Sequence, residues 1–400
     1  MMWNRHHTSK NERKDRTVTL PQISLVTYTY NDTSLTRELI RHTVDFTIQP
    51  YEIIVVDDGS NTPFHMDDAP ENLRIIRFER NQGIVKAKAT GMSMASGEYL
   101  LSIDCDMRLR ADWLERCLPV VKDQSVGMVG GAVENRSGDD LVSRYLHHFE
   151  DNHNHGHAGM VDFIPGNTFL MRQEVWDHSG GFLGHTDQIG EDDYLCSRLK
   201  RLGYQLYSDD SAKAWQLRQM SRTMLCQRMW RRGRVPTHRQ ALGAVKEHGM
   251  QGLMDWLSRS LVLPMLDRVA RADRLKEPLF LYLELLHLVH GLLDTINHLE
   301  ERGQVDALVR ADFIASFGAL FVETPRILTM LQADMNAMGD GVAFDQNIVQ
   351  ETSWKSLFSF SDQLRENGML AYLETHGVPE LIREEMDQVL DPSTRIRRAG

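Results

Sequence analysis

The feature that most constrains this chain is where its β-branched runs stop. Ile23-Ser-Leu-Val-Thr27, Glu52-Ile-Ile-Val-Val56, Leu73 to Phe78 and Glu98 to Ile103 read as strands, with helical patterns over Ser34 to Phe46 and Gly83 to Ser96. Strand and helix in alternation predict βαβ units, hence an α/β fold: a Rossmann-like, mostly parallel sheet flanked by helices. Two of the strands run straight into acids, Asp57-Asp58-Gly59-Ser60 and Asp104-Cys105-Asp106. Open parallel sheets bind ligands outside the carboxyl ends of their strands, so both acidic turns are predicted on the ligand edge. Further strands are expected at Val126 to Val133, Phe163 to Met171 and Gly203 to Tyr207, and a helix opening with acids at Glu191 to Leu202.

Beyond about residue 245 the period changes. Leu253, Trp256, Leu257 and Leu261 recur at helical spacing, and Thr324-Pro325 and Val378-Pro379 mark helix starts with proline at the first helical position. The chain therefore divides into a polar tail (1–20), an α/β domain (21–240) and an all-helical C-terminal domain (241–400). The apolar run from Pro278 to Leu293 is broken by Glu284, His287 and His290, each costly in lipid, so it is expected as a buried helix and not a membrane span. The four cysteines have no zinc-ligand spacing and the N-terminus no apolar leader, which together suggest reduced thiols and a cytoplasmic protein. A net charge of −11 argues against nucleic acid as a partner.

The acidic turns have chemistry to offer. Aspartates two apart in an extended segment point the same way, so Asp104 and Asp106 are candidate oxygen ligands for Mg2+ or Mn2+; a plain turn is the alternative. Asp57 and Asp58 either serve turn geometry or accept hydrogen bonds from a base or ribose. Glu191 and Asp192 suit a helix start through the helix dipole, or one of them is a general base whose pKa is raised by neighbouring acids. The arginine-dense stretch from Met220 to Arg239 is either the solvated face of a helix or a flexible segment closing over a diphosphate, with Arg228, Arg231 and Arg232 as candidates. His147, His148, His153, His155 and His157 read as a polar loop, with acceptor contact or a transition metal as the functional alternatives.

Taken in order, Ile23 to Asn31, Ile54 to Ser60, Asn81-Gln-Gly83 through Gly91, Ala95 to Leu100, Asp104-Cys-Asp106, Pro165-Gly-Asn167 and Gly190-Glu-Asp-Asp-Tyr194 make residues 22 to about 235 resemble a family 2 glycosyltransferase of the GT-A type. The resemblance implies a nucleotide-sugar donor (most often UDP-linked), a divalent metal and an inverting hexosyltransferase reaction. It places Thr27 and Tyr28 or Tyr30 at the nucleoside, Asp57 and Asp58 at base and ribose, and Asp104 near ribose and metal. Asp106 becomes a metal ligand, Asp192 the base and Glu191 its support. Lys88 stands where the family commonly has an arginine facing the nucleotide, keeping the charge without the planar fork.

The chain also departs from the family pattern. No histidine occurs in Ser211 to Gln216, where many relatives have one, which leaves the metal to Asp106 and the diphosphate. Gln227-Arg-Met-Trp230-Arg231 is similar to the QxxRW of processive synthases but out of register, so polymer extrusion is not expected. The acceptor is left open among a glycan, a lipid-linked saccharide and a protein. Peripheral membrane contact and homodimerisation through the helical half also stay open. Two other classes compete: a sugar-1-phosphate nucleotidyltransferase, which would open with a glycine-rich loop where Tyr28 to Asp32 stands, and a degenerate domain acting as a binding scaffold.

Overall fold

The computed structural model describes residues 20–136, 140–149, 158–186, 190–321, 324–339, 343–344 and 368–382. Five strands open the chain: β1 (Ile23–Thr29), β2 (Glu52–Asp57), β3 (Leu73–Arg77), β4 (Tyr99–Ile103) and the short β5 (Met107–Leu109). Between them lie α1 (Thr33–His42), extended by a 3-10 turn (Thr43–Asp45), and α2 (Ile84–Ser93). Then follow α3 (Trp113–Val121), β6 (Val126–Asn135), α4 (Leu141–Phe149), β7 (Gly159–Val161), β8 (Thr168–Arg172), α5 (Gln173–Ser179), α6 (Glu191–Arg201) and β9 (Gln205–Gln216).

These strands form one sheet in the order β3-β2-β1-β4-β8-β6-β9-β5, with β7 paired to β9. The first four strands pair in parallel, for example Val26 opposite Ile54 and Ser102. Antiparallel pairing begins at β8, where Leu101 faces Leu170. The α/β class holds, and the sheet is mixed: parallel on the side that carries the acidic turns, antiparallel beyond it. Val26, Ile54, Val56, Leu100 and Phe169 are fully or nearly fully buried with Met92 and Leu195 from the covering helices. Strands buried on both faces read as unbroken apolar runs, which is why β2 and β4 were legible.

Several boundaries move. The third helix, α3, was not foreseen, although its buried Trp113, Leu114, Cys117, Leu118 and Val121 fall at helical spacing; Pro119 within it argues against a helix. The late strand expected at Gly203 to Tyr207 runs on to Gln216, although Asp209, Asp210 and Ser211 look like a turn. Within it Asp209 accepts from the Ser211 N–H and hydroxyl at 2.8 and 2.6 Å.

The chain separates into two compact units, one of Met1–Ala132 with His153–Ala214 and one of Val133–Asn152 with Trp215–Gly400. The second is built of α4, α7 (Arg222–Leu257), a π-turn (Ser258–Val262), α8 (Leu263–Arg274), α9 (Pro278–Glu301), α10 (Ala307–Ala319), α11 (Pro325–Ala337) and a last helix, Met369–Thr375. Its centre is α9. By length and mean hydropathy α9 could cross a membrane, yet 89% of its most apolar window is buried inside the protein. Leu286, Leu293 and Ile296 on it are sealed against Leu253, Phe313 and Leu331. Of its polar groups, Glu284 accepts at one oxygen from the Tyr145 hydroxyl at 2.5 Å, and Asp294 accepts from Trp230 Nε1 and His238 Nε2 at 2.8 Å each. Glu284 Oε2 and His287 Nδ1 are buried without a hydrogen-bond partner.

Candidate functional site

The acid-bearing edge of the first unit is organised by one cation. Lys88, on α2 and 3% exposed, donates from Nζ to the Gly166 carbonyl at 2.8 Å and to Glu191 Oε1 at 2.9 Å. The same ammonium lies 3.1 Å from Asp104 Oδ1 and 5.6 Å from the centre of the Tyr28 ring. Residues from α2, the end of β4, the approach to β8 and the first turn of α6 thus meet around one nitrogen. Gly166 admits this meeting: a Cβ there would sit 3.1 Å from Glu191 Oε1 and 3.2 Å from Lys88 Nζ.

Charge in this cluster is not balanced locally. Burial opposes the Lys88 ammonium, but Asp104 and Glu191 together hold its pKa above the ordinary lysine value. Burial also opposes the Glu191 carboxylate, and Lys88 overcomes it and keeps the group acidic. Asp104 is pushed up to about 7 by burial, against the pull of Lys88 and with repulsion from Asp106 and Glu191. One carboxyl of the cluster is therefore raised toward neutrality, as clustered acids predict, and it is Asp104. Burial and the same acids raise the Tyr28 phenol well above its usual value.

Asp104 and Asp106 do not lie in extended backbone. The Met107 N–H bonds the Asp104 carbonyl at 3.0 Å, closing a tight turn, while the Asp104 N–H bonds the Asn167 carbonyl at 2.8 Å. The expectation that both point one way because they are two apart in a strand is corrected: the turn sets their directions. Arg108 braces it, donating to the carbonyls of Cys105 and Met107 at 3.1 and 2.7 Å and to Glu38 at 3.1 Å. Sequence reading missed Arg108, since nothing in Met107-Arg-Leu109 reveals which carbonyls it reaches. Asp106 is 3% exposed. Near this turn Asn167 Oδ1 is buried without a hydrogen-bond donor, whereas the buried Asp104 Oδ1 faces the Lys88 ammonium at 3.1 Å.

Asp57 and Asp58 serve turn geometry. Asp57 accepts from the Ser60 and Phe64 N–H groups at 2.9 Å each and from Arg77. Asp58 accepts from the Gln82 and Gly83 N–H groups at 2.7 and 2.9 Å, pinning the start of α2 and so Lys88. Between these acids and the following loop, Gly59 takes φ +72°, and a Cβ would come within 2.4 Å of the Arg80 carbonyl carbon. Arg77 is a further partner that the sequence did not reveal.

The structure brings Tyr28 to the acids but not Thr27. Adjacent residues of a strand face opposite ways, and Thr27 is 1% exposed with its hydroxyl buried and unbonded. Tyr30 follows the strand and is 43% exposed. Asp192 begins α6 beside Glu191 and accepts from the Gly166 and Asp193 N–H groups at 3.0 and 2.9 Å; it is half-buried, whereas Glu191 is buried. Arg228, Arg231 and Arg232 lie on α7 in the second unit. The segment is a helix, one of the two readings its sequence allowed. His147 and His148 end α4; His153, His155 and His157 lie outside the described residues. No group of three or more His, Cys, Asp or Glu among the described residues is arranged to hold a metal by itself. None of the four cysteines, all buried, is in a disulfide.

Comparison with known proteins follows the same residues. The family model described as Glycosyl transferase family 2 matches residues 24–186, which contain both acidic turns, Lys88 and Gly166. Glycosyltransferase AglE of Haloferax volcanii is 28% identical over 199 residues, covering 48% of this chain and 65% of that protein. Glycosyltransferase GlyG of Streptococcus pneumoniae is 29% identical over 170 residues, covering 40% of this chain and 50% of the relative. The chain thus spans less than two thirds of the length of these relatives. A mannosyltransferase from Pyrobaculum calidifontis, solved in complex with GDP-Man and Mn2+, superposes with TM-score 0.40 at 16% identity, covering 80% of this chain and 87% of that one. Residues 24–186, under half of the chain, are the part that matches glycosyl transferase family 2.

Proposed function

We propose that the first unit transfers a glycosyl group from a nucleoside diphosphate sugar, with UDP-linked donors the first to try, onto an acceptor hydroxyl with inversion. The observation that carries this reading is the convergence of Asp104, Glu191 and Asp192 on Lys88 and Gly166 at the strand-end edge.

A divalent cation fits the donor set. Carboxylate oxygens are the hard ligands that Mn2+ and Mg2+ take, and Asn167, whose carbonyl accepts from the Asp104 N–H, keeps a buried side-chain oxygen without a hydrogen-bond donor. Asp106 and Asp104 would hold the ion, with the diphosphate supplying further oxygens. When bound, the ion offsets the negative charge that gathers on the leaving diphosphate.

The chain's own groups do the rest. Asp192 takes the acceptor hydroxyl proton as that oxygen attacks the anomeric carbon; the bond from this carbon to the diphosphate oxygen breaks, and its electron pair leaves with the nucleoside diphosphate. The backbone N–H groups of Gly166 and Asp193 fix the Asp192 carboxylate, and its half-buried position leaves it reachable by an acceptor. Glu191, held by Lys88, positions the helix start. Lys88 keeps the edge from being wholly anionic, which favours approach of a diphosphate. Tyr28 supports the nucleoside side of the site, with Asp57 and Asp58 holding the loops around it.

Nucleoside diphosphate release from a panel of donors with Mn2+ or Mg2+ tests this. One donor should turn over, with the rate lost on chelation and in Asp106→Ala, and with kcat falling far more than KM rises in Asp192→Asn. Turnover of no donor, together with no metal-dependent nucleotide binding, would overturn the reading.

A further inference from the structure

Charge in this chain is segregated. From Ser211 to Lys246 there is no Asp or Glu and there are nine Lys and Arg, whereas the rest of the chain holds all 56 acids against 36 Lys and Arg. Most of that segment is α7, whose N-terminus is set by Ser221 accepting from the Met224 N–H at 3.2 Å.

Helical spacing sorts the cations onto one side. Met224, Arg228, Arg231, Val235, Arg239 and Lys246 succeed one another at intervals of three, four or seven, a single stripe along the helix. Leu225, Cys226, Trp230 and Ala241 on other faces are buried in the unit's core. Along the stripe Arg231, Arg239 and Lys246 are exposed, and so are two apolar side chains, Met224 at 49% and Val235 at 56%. From Met224 to Lys246 a straight helix would extend about 33 Å at 1.5 Å per residue. A long exposed helix face that gathers cations, with two exposed apolar side chains among them, suits an anionic lipid surface by charge.

We propose that this face of α7 docks on an anionic phospholipid surface, the cations meeting headgroup phosphates and Met224 and Val235 entering between headgroups. Charge complementarity carries the choice. The segment is acid-free, while the acidic remainder of the chain is repelled by the same surface, so the attraction has one orientation. A nucleic acid fits less well. Base stacking needs exposed aromatic rings, but Trp230 is buried and Trp215 is covered by the Arg136 guanidinium at 4.6 Å from its ring. Arg231 and Arg232, read from sequence as diphosphate contacts, belong on this account to the lipid-facing side of the helix. The inference is independent of the donor proposed for the first unit.

The test is co-sedimentation of the full chain with phosphatidylcholine vesicles, with and without phosphatidylglycerol, at low and high salt. Binding should require phosphatidylglycerol and fall steeply with salt, because exposed charges are screened within about 10 Å at 0.1 M. Each cation near an anionic surface is worth on the order of a fivefold change in partitioning. Arg239→Glu combined with Lys246→Glu should therefore weaken binding roughly hundredfold or more. Val235→Asp should weaken it at unchanged salt slope, and Arg302→Glu, an exposed cation on another helix end, should change it far less. Circular dichroism and the thermal midpoint show whether each variant is folded. Failure of the wild type to sediment with phosphatidylglycerol vesicles would overturn the proposal. So would equal loss in Arg302→Glu, or retention of heparin or DNA binding by a protein that ignores vesicles.

Discussion

Two acids, Asp334 in the second unit and Asp104 in the first, hold their charge in different ways. In the second unit Asp334, 3% exposed, is saturated: Arg222 donates to both its oxygens at 2.6 and 2.7 Å and the Tyr282 hydroxyl to one at 2.6 Å. In the first unit Lys88 serves two carboxylates at once, and Asp104, pushed up to about 7 chiefly by burial, shares that ammonium with Glu191. A saturated pair restrains the fold and has no capacity left for a ligand. An unsaturated cluster carries a standing electrostatic cost, which a bound cation or substrate can relieve. The contrast separates structural charge from charge kept for chemistry.

The largest effect should come from the unsaturated side. Asp106→Ala should lower the rate of donor turnover by roughly 10²–10³ while moving the thermal midpoint little, as steady-state assays and calorimetry would show. If instead that variant lost stability in proportion to activity, the contrast between the units would fail.

Asp334→Ala tests the other side. Removing one partner of a buried pair strands the other, at a cost of about 3–5 kcal/mol. Urea denaturation should show a loss on that scale, with Arg222 left beside Tyr282 in the core. A loss well under 1 kcal/mol would mean that Asp334 is not the restraint its contacts indicate.

Asp57 gives the comparison a pH axis. Burial opposes its charge, but the N–H of Phe64, the hydroxyl and N–H of Ser60, and Arg77 together hold its pKa below the usual aspartate value. A carboxyl depressed in the folded state contributes stability that is present above the unfolded value of about 3.9 and is lost as pH falls through the folded one. Asp57→Asn should therefore cost about 1–3 kcal/mol near pH 7 and flatten the acid limb of the stability curve below about pH 4. An unchanged limb would assign acid denaturation to other groups.

The smallest effect belongs to a helix end. Ser221→Ala removes the cap on α7 and should cost about 1 kcal/mol, with vesicle binding preserved because the stripe itself is intact. Chemical denaturation alongside sedimentation would separate the two.

Much of this was legible in the residues because the first half follows local rules. Strands β2 and β4 announced themselves as apolar runs ending in acids. Glu191 and Asp192 were readable as a helix start, since carboxylates are favoured there whatever else they do. Thr324-Pro325 likewise marked the start of α11. Other features were not legible because they depend on partners distant in sequence. Arg77 finds Asp57, Arg222 finds Asp334, and Arg108 finds the carbonyls of its own turn together with Glu38. For Thr27 the place in a strand was predictable, but the period of a strand alone does not say which of its two sides turns toward the acids.

By itself, then, the sequence determined the order of strands and helices, the end of the sheet that would carry the acids, and the cationic side of α7. Each follows from the period of side chains along one segment. Only the tertiary structure decided which acids share Lys88, that Asp104 is a carboxyl raised to about 7, and that the apolar α9 is a core helix buried over most of its length. Those outcomes rest on burial and on distances between groups far apart in the chain, and no local period encodes them.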